Sequence, residues 1–316
     1  MQSPSCRQAL PGGAVVTDRK LTNVAASVRQ RLLNRAKAEG RIFQELATLY
    51  VMERFLFRLG RSPHAEHFVL KGGLMTLTWA GEHARLTRDI DLLGRGASTI
   101  DAVVDRVREV LTVEVDDGVR FDVGSASGSE ITVDAAYVGV RVVFRADLAG
   151  MVIKLQVDVG FGDAVVPEPG WVEYPQLLDL GAPRLLGYPA EATLAEKLHA
   201  VVVLGLANSR MKDYYDFWTA ARLGAVTAEG LGESIRHTFE RRDTPLPERL
   251  PEGLTAGFAE DSTKQAQWAG FVRKSRLEAP SLAEVVEAAA ALAEGGFEVA
   301  RRWRSGPAYS STGPPH

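Results

Sequence analysis

FVLKGGLMTLTWAGEHARLTRDIDLLG, residues 68 to 94, is the stretch around which the chain is arranged. The apolar run Phe68-Val69-Leu70 leads into Gly72-Gly73, an amphipathic segment runs from Leu74 to Trp79, and Asp89-Ile90-Asp91 falls inside a second apolar run. The reading is strand, glycine turn, helix, strand. Glycines here allow positive φ and bring backbone N–H groups close to an anion at a helix N-terminus, where a phosphate chain is held. Asp89 and Asp91 stand at i and i+2, which on a strand puts both carboxylates on one face with Cα atoms about 6 to 7 Å apart. Hard divalent cations held between such acids and a nucleotide's phosphates point to nucleotidyl transfer.

Single motifs of this kind are weak. With 17 aspartates in 316 residues, roughly one Asp-x-Asp arises by chance, and Gly-Gly usually marks a turn. The weight lies in the order of the parts, and in Arg85-Leu86-Thr87-Arg88 abutting acids embedded among Ile90, Leu92 and Leu93. Two acids in a half-buried strand cost free energy unless something cationic compensates them.

The segment Ile153 to Val159 is the cleanest alternation in the chain, with Ile153, Leu155, Val157 and Val159 on one face and Lys154, Gln156 and Asp158 on the other. Asp158 reads either as an ordinary strand-end acid or, if this strand lies beside that of Asp89 and Asp91, as the third carboxylate of a triad. Three acids can hold two metals, one activating an attacking hydroxyl and one stabilising a leaving pyrophosphate.

Taken with KGG at Lys71 to Gly73 and RLTRDIDL at Arg85 to Leu92, three later blocks carry a family likeness. They are IKLQVDVGFGD at Ile153 to Asp163, TLAEKLHAV at Thr193 to Val201, and NSRMKDYYDFW at Asn208 to Trp218. In this order, over about half the chain, they resemble the AbiEii toxin family of bacterial nucleotidyltransferases. That resemblance implies an α+β fold of the DNA polymerase beta type, a mixed sheet flanked by helices and followed by an all-α C-terminal lobe. It favours Asp158 as the third member of a metal set Asp89, Asp91 and Asp158, taking Mg2+ or Mn2+ with an NTP as substrate. It gives Lys197, the lysine of the EKL block, contact with nucleotide phosphates. Asp213 is expected as an orienting acid and Arg210 as a phosphate contact, although some relatives carry an acid where this chain has Ser209. The expected nucleotide-contacting set is Lys71, Gly72, Gly73, Arg85 and Arg210. The implied partners are an RNA acceptor, the 3′ end of tRNA, and a repressor-like cognate antitoxin. Phosphoryl transfer to a protein, including self-modification at Thr87, and a non-catalytic nucleotide-binding module are the alternatives on the same fold.

Composition bounds the rest. A chain of 316 residues with 46% hydrophobic side chains buries a substantial core in one large or two moderate domains. Its net charge of −3 advertises no global nucleic-acid field, so any such surface is local. One cysteine, Cys6, leaves no internal disulfide framework and fits a cytoplasmic protein. No run of about 18 apolar residues calls for a membrane. His199 and His237 stand alone, without zinc-ligand spacing.

Four divisions are expected: a flexible lead-in at 1–20, a nucleotidyltransferase domain at 21–188, a helical domain at 189–304 and a flexible tail at 305–316. Leu21 to Leu32 has one helical face with Gly40 as stop, and Ile42 to Leu59 a second, ending at Gly60. Asp101 to Leu111 reads as a helix, followed by short β-branched runs around Val119–Val123, Ile131–Val133 and Val138–Phe144. Residues 160 to 190, with five prolines, read as a connector. Thr193 to Glu196 has the capping-box pattern, and Asp213 can cap the helix that follows it. Lys197 in a first helical turn is ordinarily solvated or paired with Glu196. Arg29, Arg31, Arg35, Lys37 and Arg41 read as a solvated helix face or a polynucleotide patch. Arg236, Arg241, Arg242, Arg249, Arg273, Lys274 and Arg276 are placed to track an RNA backbone.

Overall fold

The computed structural model describes residues 16–85, 87–134, 137–162 and 165–304. Cys6, Leu86, Asp163 and the tail at 305–316 lie outside them, as does most of the expected lead-in. Its last residues do not, since the first helix, α1 (Val16–Ala38), already starts at Val16. Gly40, at φ +63, ends the turn behind it. The second helix, α2 (Phe43–Arg61), runs through Gly60 rather than stopping there. The glycine serves packing instead: a Cβ at this position would lie 2.1 Å from the carbonyl oxygen of Arg184.

The quoted stretch folds as read. Strand β1 (Phe68–Lys71) enters α3 (Gly72–Ala80), a 3-10 turn (Gly81–His83) follows, and the chain returns as β2 (Ile90–Gly94), antiparallel to β1. Helix α4 (Ile100–Leu111) is capped by Thr99, whose hydroxyl accepts from the Ala102 N–H. The short β-branched runs are parts of two long strands, β3 (Val119–Asp134) and β4 (Tyr137–Leu148). An irregularity in the β3–β4 register between Asp122 and Ser127 breaks the alternation, and that break divides the run in the sequence. Strand β5 (Met151–Phe161) buries Ile153, Leu155, Val157 and Val159, as its alternation predicts.

The stretch read as a connector contributes two strands, β6 (Gly170–Glu173) and β7 (Arg184–Gly187). Only Leu185 and Leu186 of β7 are both apolar and buried, too short a signal between Pro183 and Pro189 to read as a strand. Yet β7 pairs parallel with β1 and completes a mixed seven-stranded sheet in the order β3-β4-β5-β2-β1-β7-β6. β1 and β2 thus lie near its middle, with β5 parallel to β2.

The C-terminal region is helical: α5 (Ala190–Leu204), α6 (Met211–Leu223), α7 (Ala228–Arg241), α8 (Ala256–Glu260), α9 (Ser262–Ser275) and α10 (Leu282–Arg304). Helix α5 starts at Ala190 with Pro189 as N-cap, so Thr193 is not its cap. The Thr193 hydroxyl donates to the Pro189 carbonyl from inside the first turn. Two hydrophobic clusters result, one spanning Val28 to Ala192 and one Leu194 to Ala300. Trp79 of α3 packs on the second, tying the sheet to the helices. Among the described residues no helix is long and apolar enough to cross a membrane.

Candidate active site

The acids of the quoted stretch meet at the β2–β5 pairing. Asp91 is the register partner of Asp158 across the parallel pair and of Lys71 across the antiparallel one. Asp89 precedes β2 and is exposed, and Gln156 of β5 donates to both Asp89 (3.4 Å) and Asp158 (3.2 Å). Adjacent β-strands lie about 5 Å apart, so the register alone crowds these carboxylates. Arg141 of β4, register partner of Asp158, donates to both its oxygens at 2.8 Å. That bidentate bond lifts the pKa of Arg141.

Asp91 carries the electrostatic strain of the edge. Burial raises its pKa, and the neighbouring charges of Asp158 and Asp89 raise it further against the opposing pull of Lys71 and Lys212. Its carboxylate fills the space beside Gly72. A Cβ there would stand 2.0 Å from Asp91 Oδ2, and φ is +67, so only glycine meets both demands. No side chain caps the first turn of α3, which leaves its N–H groups for an anion.

A second cluster joins the two lobes. Lys197 of α5 is buried, with Nζ 2.6 Å from Asp213 Oδ1 and 2.8 Å from Asp216 Oδ2. Arg85, in the loop before β2, donates to Asp216 through Nε and Nη2 at 3.1 to 3.3 Å. Arg210 reaches Asp213 at 2.6 Å. Burial opposes charge on Lys197, but the two aspartates outweigh it and hold its pKa above the ordinary lysine value. Burial likewise works against the Asp213 carboxylate, yet Lys197 and Arg210 bring it down to about 2. Lys197, Arg85 and Arg210 thus converge on the carboxylates of Asp213 and Asp216. Lys197 is therefore neither solvated nor paired with Glu196, which instead meets Lys71 at 3.4 Å. Nor does Asp213 cap α6: the N-cap is Arg210, without a side-chain cap bond.

Asp216 is the functional candidate that sequence reasoning passed over. Its signal was present, since Asp213 and Asp216 stand at i and i+3 in the NSRMKDYYDFW block and so share a helix face. Gln156 had a signal too, two residues before Asp158 on the polar face of the Ile153 to Val159 alternation, whereas Arg141 gave none.

Among the described residues no three His, Cys, Asp or Glu side chains converge closely enough to hold a metal ion, and Arg141 engages the Asp158 carboxylate. The donor set nonetheless suits a hard divalent cation, being carboxylate oxygen with an amide beside it.

A mixed sheet that brings paired acids beside a glycine-started helix, with a helical lobe closing over them, is the architecture of the nucleotidyltransferase class. Residues 54–293 match the model of the nucleotidyl transferase AbiEii toxin family of type IV toxin–antitoxin systems, and the chain belongs to that family. No curated protein matches it. It is similar to two solved structures from Helicobacter pylori. One, a candidate nucleotidyltransferase, is 14% identical over 82% of this chain and 97% of that one, at a TM-score of 0.46. The other, JHP933, is 13% identical over 83% and 95%, at a TM-score of 0.47.

Proposed function

We propose that the protein transfers a nucleoside monophosphate from an NTP to the 3′ hydroxyl of an RNA, tRNA being the acceptor, with release of pyrophosphate. The observation that carries this is the pairing of Asp91 with Asp158 beside Gly72. Asp89, Asp91 and Asp158 would hold Mg2+ or Mn2+, which when bound supplies Lewis-acid activation of the hydroxyl and charge stabilisation on the phosphates. The uncapped N–H groups of α3 and Lys71 receive the phosphate chain. Asp213 and Asp216 fix Lys197 in place for contact with the phosphates, with Arg85 and Arg210 held on the same two acids. Arg141 pairs with Asp158 and would have to release it for that carboxylate to serve as a metal ligand. The toxin acts by modifying RNA until growth stops, and a repressor-like antitoxin from the same operon restores growth.

Purified protein with Mg2+, total RNA and each NTP in turn is expected to release pyrophosphate with one or two of the four. Release with none, from folded protein, contradicts the reading.

A further inference from the structure

A cavity of about 640 Å3 opens behind α3, between the α1–α2 turn, the loop carrying Arg85 and Thr87, residues 174–177 and the end of α9. Pockets of 300 to 1,000 Å3 take small ligands, so it admits roughly one nucleotide and no duplex. Leu49, Leu77, Leu177 and Leu277 give it apolar walls. Tyr174, 2% exposed, contributes ring surface to the wall, its hydroxyl being buried away from the opening.

Charge tells what kind of ligand. Glu39, Glu45, Glu53 and Glu82 line the interior, where Glu39 pairs with Arg35 and Arg41, Glu45 with Arg88 and Glu53 with Arg54, while the lining Arg85 is held by Asp216. A triphosphate is disfavoured there. Lys274 and Arg276, exposed on the rim, have no carboxylate partner among the described residues. The cavity thus offers an interior of apolar walls and mostly ion-paired charges, and two uncommitted cations at its mouth. Single-stranded RNA is recognised in that way, with an unstacked base sheltered and phosphodiesters met by cations. Its wall also touches the catalytic edge, because a Cβ on Gly73 would lie 2.9 Å from Thr87 and 3.3 Å from Arg85.

We infer that this cavity is the acceptor subsite, taking one unpaired nucleotide near the 3′ end of a single-stranded RNA while Lys274 and Arg276 hold its backbone. The inference rests on the RNA-acceptor reading above and is tested by binding, independently of transfer. Fluorescence anisotropy measures a single-stranded oligoribonucleotide, its blunt duplex and an NTP on the same protein. Wild type should prefer the single strand. Reversing both rim charges, Lys274→Glu with Arg276→Glu, should weaken that binding at least about tenfold and reduce the slope of log affinity against log salt by roughly one to two. Ile42→Trp, at a 40% exposed cavity-lining position, should block it sterically. NTP affinity should stay unchanged in both variants. Unaltered RNA binding across the variants, preference for the duplex, or loss of NTP binding instead would overturn the inference. Absence of transfer by wild type, with cavity-dependent RNA binding intact, would sink the transferase reading and reduce the cavity to a single-strand RNA site without an acceptor role.

Discussion

At the scale of single residues, half-buried Asp91 and fully buried Asp213 are opposite cases of an acid drawn out of water. Asp91 is pushed toward protonation by burial first and then by the charges of Asp158 and Asp89, so Asp91→Asn removes a desolvated charge and relieves repulsion. It should leave Tm unchanged or slightly raised while lowering transfer at least about 100-fold, since metal-assisted charge stabilisation is worth several kcal/mol. Near-normal activity in a folded Asp91→Asn protein would remove the acid from the site. Asp213 is held by Lys197 and Arg210, with its pKa brought down to about 2 from 3.8. A depressed acid contributes stability that is present above its unfolded pKa and lost as pH falls through its folded one. The stabilisation, about 2 kcal/mol, should therefore persist at pH 5 and vanish between pH 4 and 2. Asp213→Asn should cost about 3–5 kcal/mol at neutral pH by leaving Lys197 half-paired, and this deficit should shrink as the wild type is acidified. Thermal melts of both proteins from pH 2 to 7 check this, and a constant gap would contradict it.

At the scale of elements, the sheet rests on close backbone approaches that only small residues permit. Gly60 of α2 is where β7 leans on the helix, through the Arg184 carbonyl. Gly60→Ala should destabilise by about 1–3 kcal/mol, because the strand must shift and strain its pairing with β1. A denaturant midpoint equal to wild type would show that the contact is slack. This approach was not legible in the sequence, where Gly60 looked like a helix stop, since its reason lies 124 residues away. Strand β5 was legible because one polar face and one core face write a period of two directly into Ile153 to Val159. β7 was not, with two buried leucines between prolines and its partner β1 more than a hundred residues upstream. The site divides in the same way. Gly72 and Asp91 lie in one continuous stretch and could be read together, whereas Asp216 acquires its role only when α6 meets the Arg85 loop. Sequence order records local geometry well and long-range ion pairing hardly at all.

At the scale of the whole molecule, the sheet lobe supplies the acids and the helical lobe supplies Lys197, Asp213, Asp216 and the rim cations. We divide the lobes at 188/189, just before α5 and close to where the two hydrophobic clusters part. Their ion-paired junction lets one lobe set the geometry of the other, and the family's toxin character implies that the assembled protein harms its host. Expression alone should slow growth and co-expression of the neighbouring antitoxin should restore it. Normal growth with active protein present would point to a housekeeping enzyme. The central claim is nucleotidyl transfer at the Asp91–Asp158 edge, and the position of the label decides it. Protein is incubated with Mg2+, total RNA and NTPs labelled at either the α- or the γ-phosphate. The account predicts that α-label appears on a tRNA-sized band, that γ-label leaves as pyrophosphate, and that Asp91→Asn abolishes both. Transfer of γ-label to a protein, with no α-label on RNA from any NTP, would contradict it.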